Sequence, residues 1–489
     1  MLLDFTMKVL FLCRGAESLG IGYLSSTLKE NGHKTGLIYD PGFEDNLYFE
    51  FKPFKIFNIK KRLLKQAKKF KPDLLAVSTA TNTYLPVKNL VQYLKSDLGV
   101  PVILGGIHAT TAPAHVIKEP CFDYICRGEG EEAFLEFLDN FDNKSRLLKT
   151  RNFWFKQHNK IIRNAIRPPV KDLDKLPFPD KDLFIRKGIS KKIVMLISGR
   201  GCPCSCSYCI NNYYKKIYGC SYIRKRSVGN VIEELKLYRE KYNTRHFLFG
   251  DEIFNWDVTW LKLFAKEYKQ NIDATYECNT HPAFVNVKSV NMLKKSGCIS
   301  IDMGIQSGSQ ELRKNTLNRN VSDEVIYKAS RIIKSARIKL HTDVMYASPN
   351  ETVIDMHKTL DMNKKIQPNE TFTHLTYPFP NTDIAINALK SGNLSREDFK
   401  KTFDGLGNYN TSVYLNKNKK EAFKFKVITP LLVRFPKLFG KIESKLLEVD
   451  NMFLFRLLDI FALTISDPLE FSKKLFEYVR ALYPLYFKS

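Results

Sequence analysis

The chain has 489 residues, 44% hydrophobic and 12% aromatic, more than one compact core needs and too apolar for a disordered chain. Lys and Arg number 77 against 51 Asp and Glu, a formal charge of +26, which points to an anionic partner or a Lys-rich solvated surface. The sequence contains no run of about eighteen uncharged apolar residues. Its start, MLLDFTMKVLFLC, has an acid at Asp4 and no small-residue cleavage site, so the cytoplasm is the expected compartment. Thiols stay reduced there. Four of the ten cysteines crowd between Cys202 and Cys209, which favours a metal or redox site over disulfides.

In chain order, apolar runs at Lys8 to Cys13, Gly36 to Asp40, Asp73 to Ala80, Pro101 to Gly106 and Asp123 to Arg127 alternate with helical periodicity near Gly20 to Asn31, Ile59 to Phe70, Tyr84 to Leu98 and Glu131 to Asn140. This alternation predicts an α/β domain over residues 1–145, a doubly wound parallel sheet with its ligand site at the carboxyl ends of the strands. Residues 146–190 read as a strand-poor linker, with Arg167-Pro168-Pro169 and Leu176-Pro177-Phe178-Pro179-Asp180 fixing φ and removing donors. A second βα series then fills residues 191–390. Its strands are expected near 193–198, 246–254, 274–279, 300–306, 339–347 and 370–377, with helices near 228–242, 258–269, 287–296, 322–336 and 352–366. Six βα units suit a (βα)6 partial TIM barrel. Residues 391–489 form a helical carboxyl-terminal region.

The first strand of the second series empties into Gly199-Arg200-Gly201-Cys202-Pro203-Cys204-Ser205-Cys206-Ser207-Tyr208-Cys209. Cys202, Cys206 and Cys209 form C-x3-C-x2-C on a glycine-flanked loop at a barrel rim. Three thiolates on so short a loop can hold three irons of a cubane cluster and leave the fourth open for chemistry. Structural zinc wants four ligands; Cys220 is the distant fourth it would require, and the spacing favours iron and sulfur. Cys204 is read as incidental, an alternative ligand being the second possibility.

With Tyr208 before the last cysteine and the loop following the first barrel strand, the sequence resembles the radical S-adenosylmethionine (SAM) superfamily. That resemblance implies a [4Fe-4S] cluster on Cys202, Cys206 and Cys209, SAM on its fourth iron, and reductive cleavage to a 5′-deoxyadenosyl radical. It also implies an electron donor such as flavodoxin or ferredoxin. Gly250-Asp251-Glu252 closes the second strand where the family meets the SAM amino group. Gly304-Ile305-Gln306-Ser307-Gly308-Ser309 is similar to the family's G-I-E-S-G-S, with Gln306 in place of Glu. Unaided chemistry agrees: Asp251 or Glu252 can accept from an ammonium, and Gln306 or Ser307 can bond ribose hydroxyls or a carboxylate. Helix capping is the alternative for Ser309 and Asp251. The family's G-x-P turn reads Ala347-Ser348-Pro349 here.

Gly105-Gly106-Ile107-His108 and Gly128-Glu129-Gly130-Glu131 end the fourth and fifth strands of the first domain. Paired glycines admit close backbone approach by a large flat ligand. Placed upstream of the barrel and the L-P-F-P-D segment, they look like the cobalamin-binding domain of cobalamin-dependent radical SAM methyltransferases, a resemblance covering roughly residues 7–390. No histidine lies between Leu12 and Gly20 to reach cobalt. His108 reads as a loop residue, and Ser78-Thr79-Ala80 departs from the S-x-L of many such domains.

The expected function is therefore cobalamin-dependent methylation of an unactivated carbon. Cyclisation, rearrangement or carbon–carbon coupling without methyl transfer stands second, and a metal-stapled, non-catalytic binding protein is the alternative of another class. A methylthiotransferase would need a second cluster, for which Cys13, Cys121 and Cys126 are the only candidates. A small-molecule or lipid-like substrate is expected. The tail mixes Phe423, Phe425, Phe435, Phe439, Phe453, Phe455 and Phe461 with Lys424, Lys426, Lys437 and Lys441. It reads first as helices packed on the barrel and second as a peripheral contact with an anionic membrane. No RNP-like or zinc-finger pattern supports a nucleic-acid partner.

Overall fold

A computed structural model describes residues 6–42, 59–157, 160–406 and 418–466. Two sheets organise it. The first contains β1 (Lys8–Arg14), β2 (Lys34–Asp40), β3 (Leu74–Ser78), β4 (Val102–Gly105) and β5 (Tyr124–Cys126), all parallel, in the order β2-β1-β3-β4-β5. The strands are apolar runs because helices cover both faces. Leu10, Leu12, Leu75, Val77 and Leu104 pack on one side, and Val9, Phe11, Ala76 and Ile103 on the other. Order and parallel pairing match the doubly wound expectation.

The stretch read as strand-poor differs. β6 (Phe153–Gln157) and β7 (Lys160–Arg163) extend the first sheet as an antiparallel edge, β6 pairing with β5. Their signal is Phe153-Trp154-Phe155, of which Phe153 and Phe155 stack around Phe137. The prolines that suggested a linker all lie downstream of this hairpin, from Pro168 onward. The Leu176–Asp180 segment lies along the helix Leu19–Glu30: Asp180 N–H donates to Gly22 O (3.1 Å) and Ser26 Oγ–H to Phe178 O (2.6 Å).

The second sheet is six-stranded and wholly parallel, in the order β8 (Ile193–Leu196), β11 (His246–Phe249), β12 (Thr275–Thr280), β13 (Cys298–Gln306), β14 (Lys339–Tyr346), β15 (Glu370–Leu375). β8 and β15 form its two edges, so the barrel is partial. Between β8 and β11 a small antiparallel pair, β9 (Gly199–Arg200) with β10 (Arg224–Lys225), flanks the cysteine loop. The crossover helices start on side-chain caps that the sequence supplies: Ser227 for Val228–Tyr242, Asp257 for Val258–Asn271, Asn286 for Val287–Ser296 and Ser322 for Asp323–Ser335.

The tail helix Lys419–Arg434 lies against β14 and β15. Thr373 Oγ1–H donates to Lys426 O (2.7 Å), Tyr346 and Thr429 share a hydroxyl bond (2.7 Å), and Phe425 packs on Tyr346 and His357. Two of the lysines read as membrane-facing are buried: Lys424 donates to Leu447 O, and Lys426 pairs with Asp459 at 2.8 Å. Among the described residues no helix is long and apolar enough to cross a membrane. The rest of the tail, from residue 467, lies outside the described residues.

Candidate active site

The carboxyl ends of the first sheet and of β8 and β11 face one another across a cavity of about 350 Å3. Gly105, Gly106, Gly128, Glu131 and Ser78 line it from the first domain; Arg200, Tyr214, Tyr218, Gly250, Asp251 and Glu252 line it from the barrel. Gly106 has φ +88°, and a Cβ there would lie 2.8–2.9 Å from Ser78 Oγ and the Thr79 backbone. Gly128, φ +73°, is capped by the Tyr218 hydroxyl, 1.9 Å from where a Cβ would stand. Both glycines let backbone form the cavity wall.

Charge joins the two halves. Arg200 reaches Glu131 at 2.6 Å and Glu129 at 3.2 Å, and Arg224 grips both Glu129 oxygens at 2.5 and 2.9 Å. Arg224 also donates to Val170 O, and the Glu129 N–H donates to Tyr218 Oη at 2.8 Å. Burial works against the Glu129 charge, but hydrogen bonds from Arg224 and the nearby guanidiniums hold its carboxyl below the usual range. Tyr214, Tyr218 and Tyr222 form a stack with centroids 5.6–6.1 Å apart.

The cysteine loop lies directly beyond Arg200. Cys202 and Cys206 are buried, and Cys204 and Cys209 are half-buried. The Cys206 thiol meets Arg319 Nη1 at 3.6 Å, and Cys209 Sγ meets Asn211 Nδ2 at 3.6 Å. The Cys202 thiol donates a hydrogen bond to Cys204, which raises Cys202 and lowers Cys204; burial pushes Cys209 up to about 12. Among the described residues no three His, Cys, Asp or Glu side chains gather closely enough to hold a metal ion. The Cys220 side chain lies outside the described set.

Sequence reasoning missed what holds this loop. Lys215 Nζ donates to Pro203 O, Cys204 O and Ser205 Oγ, and Asn318 Nδ2 to Ser205 O. Arg319 Nη2 donates to Gly304 O at the end of β13. Arg319 and Lys215 bring positive charge to the thiols. Neither carries a local motif; they lie 13 and 6 residues beyond Gln306 and Cys209 and arrive by tertiary packing. Tyr208 packs among Leu317, Ile384, Ala388 and Leu394.

The other sequence candidates separate in role. Asp251 is buried, its carboxylate taking the Ser198 N–H (2.8 Å), Ser198 Oγ–H (2.6 Å) and Lys225 Nζ (3.1 Å). It anchors the chain entering the cysteine loop. Glu252 opens into the cavity and stays exposed there; the protein around it still pushes its carboxyl up, against a bond from Asn211. Gln306 ends β13 at φ +73°, a left-handed conformation that costs a non-glycine residue about 1 kcal/mol or more. Ser307 is fully buried between Thr359 and the Ser309 N–H. Neither Gln306 nor Ser307 lines the cavity with Glu252. Ser309 caps the helix Gln310–Asn315.

In the first domain His108 sits in a short helix, Gly106–Thr111, not a loop. It is fully buried, bonds Thr81 (3.1 Å), packs on Tyr84 and is pushed down to about 3 by burial. Cys13 and Cys126 pack on one face of the first sheet and Cys121 on the other. They cannot ligate one centre. Ala347 takes φ +64°, the left-handed turn that the glycine of G-x-P would adopt freely.

Comparisons with known proteins agree with this division. The B12 binding domain family matches residues 14–138, and the Radical SAM superfamily matches residues 196–362. An uncharacterized methyltransferase of Pyrococcus horikoshii is 25% identical over 391 residues, 78% of this chain and 81% of that protein. An anaerobic magnesium-protoporphyrin IX monomethyl ester cyclase of Rubrivivax gelatinosus is 24% identical over 404 residues, 77% of this chain and 69% of its own. Among solved structures, the cobalamin-dependent SAM radical enzyme OxsB with aqua-cobalamin bound shares the fold at TM-score 0.68 and 15% identity. The match covers 97% of this chain and 72% of OxsB. TsrM of Kitasatospora setae, a radical SAM methyltransferase solved with cobalamin and a [4Fe-4S] cluster, gives TM-score 0.64 at 14% identity, over 79% of this chain and 78% of TsrM.

Proposed function

The chain belongs to the radical SAM superfamily and carries a B12 binding domain, and from that premise we propose that it is a cobalamin-dependent methyltransferase acting on an unactivated carbon of a small molecule. The observation that supports this reading most strongly is the shared cavity, where the carboxyl ends of the first sheet and Glu252 face the same space.

The residues fit the groups the reading requires. Cys202, Cys206 and Cys209 supply sulfur donors, with the positive Arg319 at Cys206, and that set suits an anionic sulfur-ligated cluster better than zinc. Glycine-walled backbone at Gly105, Gly106 and Gly128 suits a flat ring such as a corrin. When bound, the cluster supplies one electron to cleave SAM and the corrinoid carries a methyl group.

This chain's residues bind, orient and enclose. Glu252 accepts from the SAM ammonium. Asp251 fixes Ser198 and so the entry to the cysteine loop. Arg319 and Lys215 hold the loop and balance its negative charge. The tyrosine stack closes one wall against water. An electron donor such as flavodoxin or ferredoxin completes the scheme.

The test is anaerobic reconstitution with iron, sulfide and hydroxocobalamin, followed by reduction and SAM deuterated at its methyl group. Deuterated methyl on the bound corrinoid is expected. Cluster and SAM binding with no corrinoid retained would favour the second reading, radical chemistry without methyl transfer. The likeness to the Rubrivivax gelatinosus cyclase over 77% of this chain keeps that reading in view.

A further inference from the structure

Glu131 is the first residue of the helix Glu131–Asp139 and is 4% exposed. Its Oε1 pairs with Arg200 at 2.6 Å. Its Oε2 is buried and has no hydrogen-bond partner among the described residues, although Glu131 lines the cavity between the domains. A buried acceptor without a donor costs roughly 1–3 kcal/mol, and few such atoms persist in folded proteins. The atom therefore calls for a donor from whatever fills the cavity. The neighbouring wall supplies none: Gly128 N–H is spent on Thr110 Oγ1, Glu129 N–H on Tyr218, and Arg200 on the two glutamates.

We propose that Glu131 is a specificity-determining residue whose Oε2 accepts a hydrogen bond from a primary carboxamide on the rim of a corrin ring. The inference rests on the corrinoid reading above and adds to it. A carboxylate paired with arginine only accepts. It therefore welcomes an amide N–H and repels a carboxylate set in the same place. The site thus selects fully amidated corrinoids over their acid counterparts, and it makes this choice before any chemistry.

The experiment measures dissociation constants of the full-length, cluster-reconstituted chain, by ultrafiltration and corrinoid absorbance, for hydroxocobalamin and for its b-, d- and e-monocarboxylic acids. At least one acid is expected to bind roughly tenfold or more weakly than hydroxocobalamin. In Glu131→Gln, which keeps an acceptor for Arg200 and gains an amide, that gap is expected to shrink severalfold. Equal wild-type affinity for all four corrinoids overturns the assignment while leaving corrinoid binding intact. Undiminished discrimination in a folded Glu131→Gln overturns it as well, because another group must then read the amide. Wild-type protein that binds SAM but none of the four corrinoids removes the corrinoid reading itself. The wild-type comparison stands even if the variant fails to fold.

Discussion

Arg200 stands 2.6 Å from Glu131 and 3.2 Å from Glu129, so the residue two places before Cys202 is ion-paired to the loop that ends the parallel part of the first sheet. With Arg224 on the same Glu129, the cysteine loop and the first domain share one buried electrostatic joint. A ligand seated on Gly128 to Glu131 would therefore adjoin the segment that carries the three cysteines proposed to hold the cluster.

Removing Glu129 leaves the buried Arg224 guanidinium without its carboxylate partner, while Arg200 keeps Glu131; breaking a buried pair in this way typically costs about 3–5 kcal/mol. We expect Glu129→Ala to lose stability on that scale in urea unfolding; a loss below about 1 kcal/mol would contradict the joint. The acid response follows in sign. Because the folded carboxyl lies below its ordinary value of 4.5, its contribution is present above that value and is lost as pH falls through the folded value. The wild type should lose stability more steeply than Glu129→Gln below about pH 4.5.

Gly128 and Tyr218 form a second, steric joint. A methyl group at Gly128 would lie 1.9 Å from the tyrosine hydroxyl and 3.0 Å from its Cζ. Gly128→Ala should lower the melting temperature by several degrees, through the clash and through the positive φ. In Tyr218→Ala the clash is gone, so adding Gly128→Ala should cost clearly less. Strict additivity of the two changes would rule out the contact.

Most of the architecture was legible in the sequence because buried parallel strands read as apolar runs and the helices between them carry helical periodicity. The cysteine loop was legible because its chemistry is local. The β6–β7 edge was not, since nearby prolines outweighed one aromatic run. Arg319 and Lys215 were invisible for another reason, since no spacing rule ties them to the cysteines they meet within the barrel, and the partners of Glu129 reach it only through the packing of the barrel on the first sheet.

Asp251 and Glu252 are adjacent acids with different work. Asp251→Asn weakens the anchoring of Ser198 and Lys225 and should destabilise the fold by about 1–3 kcal/mol. Glu252→Gln should leave urea unfolding within about 0.5 kcal/mol of wild type yet weaken SAM binding roughly tenfold. The reverse pattern in calorimetric titration and unfolding would interchange their roles.

Asp343 on β14 gives a pH response of opposite sign to Glu129. Burial, then Asp302, push its carboxyl up to about 7 against the pull of Arg319, and its Oδ1 has no partner among the described residues. A raised carboxyl favours the neutral folded form. Its contribution is full below the ordinary value of 3.8 and is lost as pH rises towards 7. Relative to wild type, Asp343→Asn should flatten the decline in melting temperature between those two values; parallel curves would contradict a buried, mostly neutral acid.

The central claim is that Cys202, Cys206 and Cys209 carry a cluster that cleaves SAM by one-electron reduction. It is tested most directly by quantifying 5′-deoxyadenosine after anaerobic reconstitution, dithionite reduction and addition of SAM, in wild type and in Cys206→Ala. Wild type should form 5′-deoxyadenosine and the variant none above background. No product from a wild type that has incorporated iron and sulfide, or equal product from the variant, would contradict the claim.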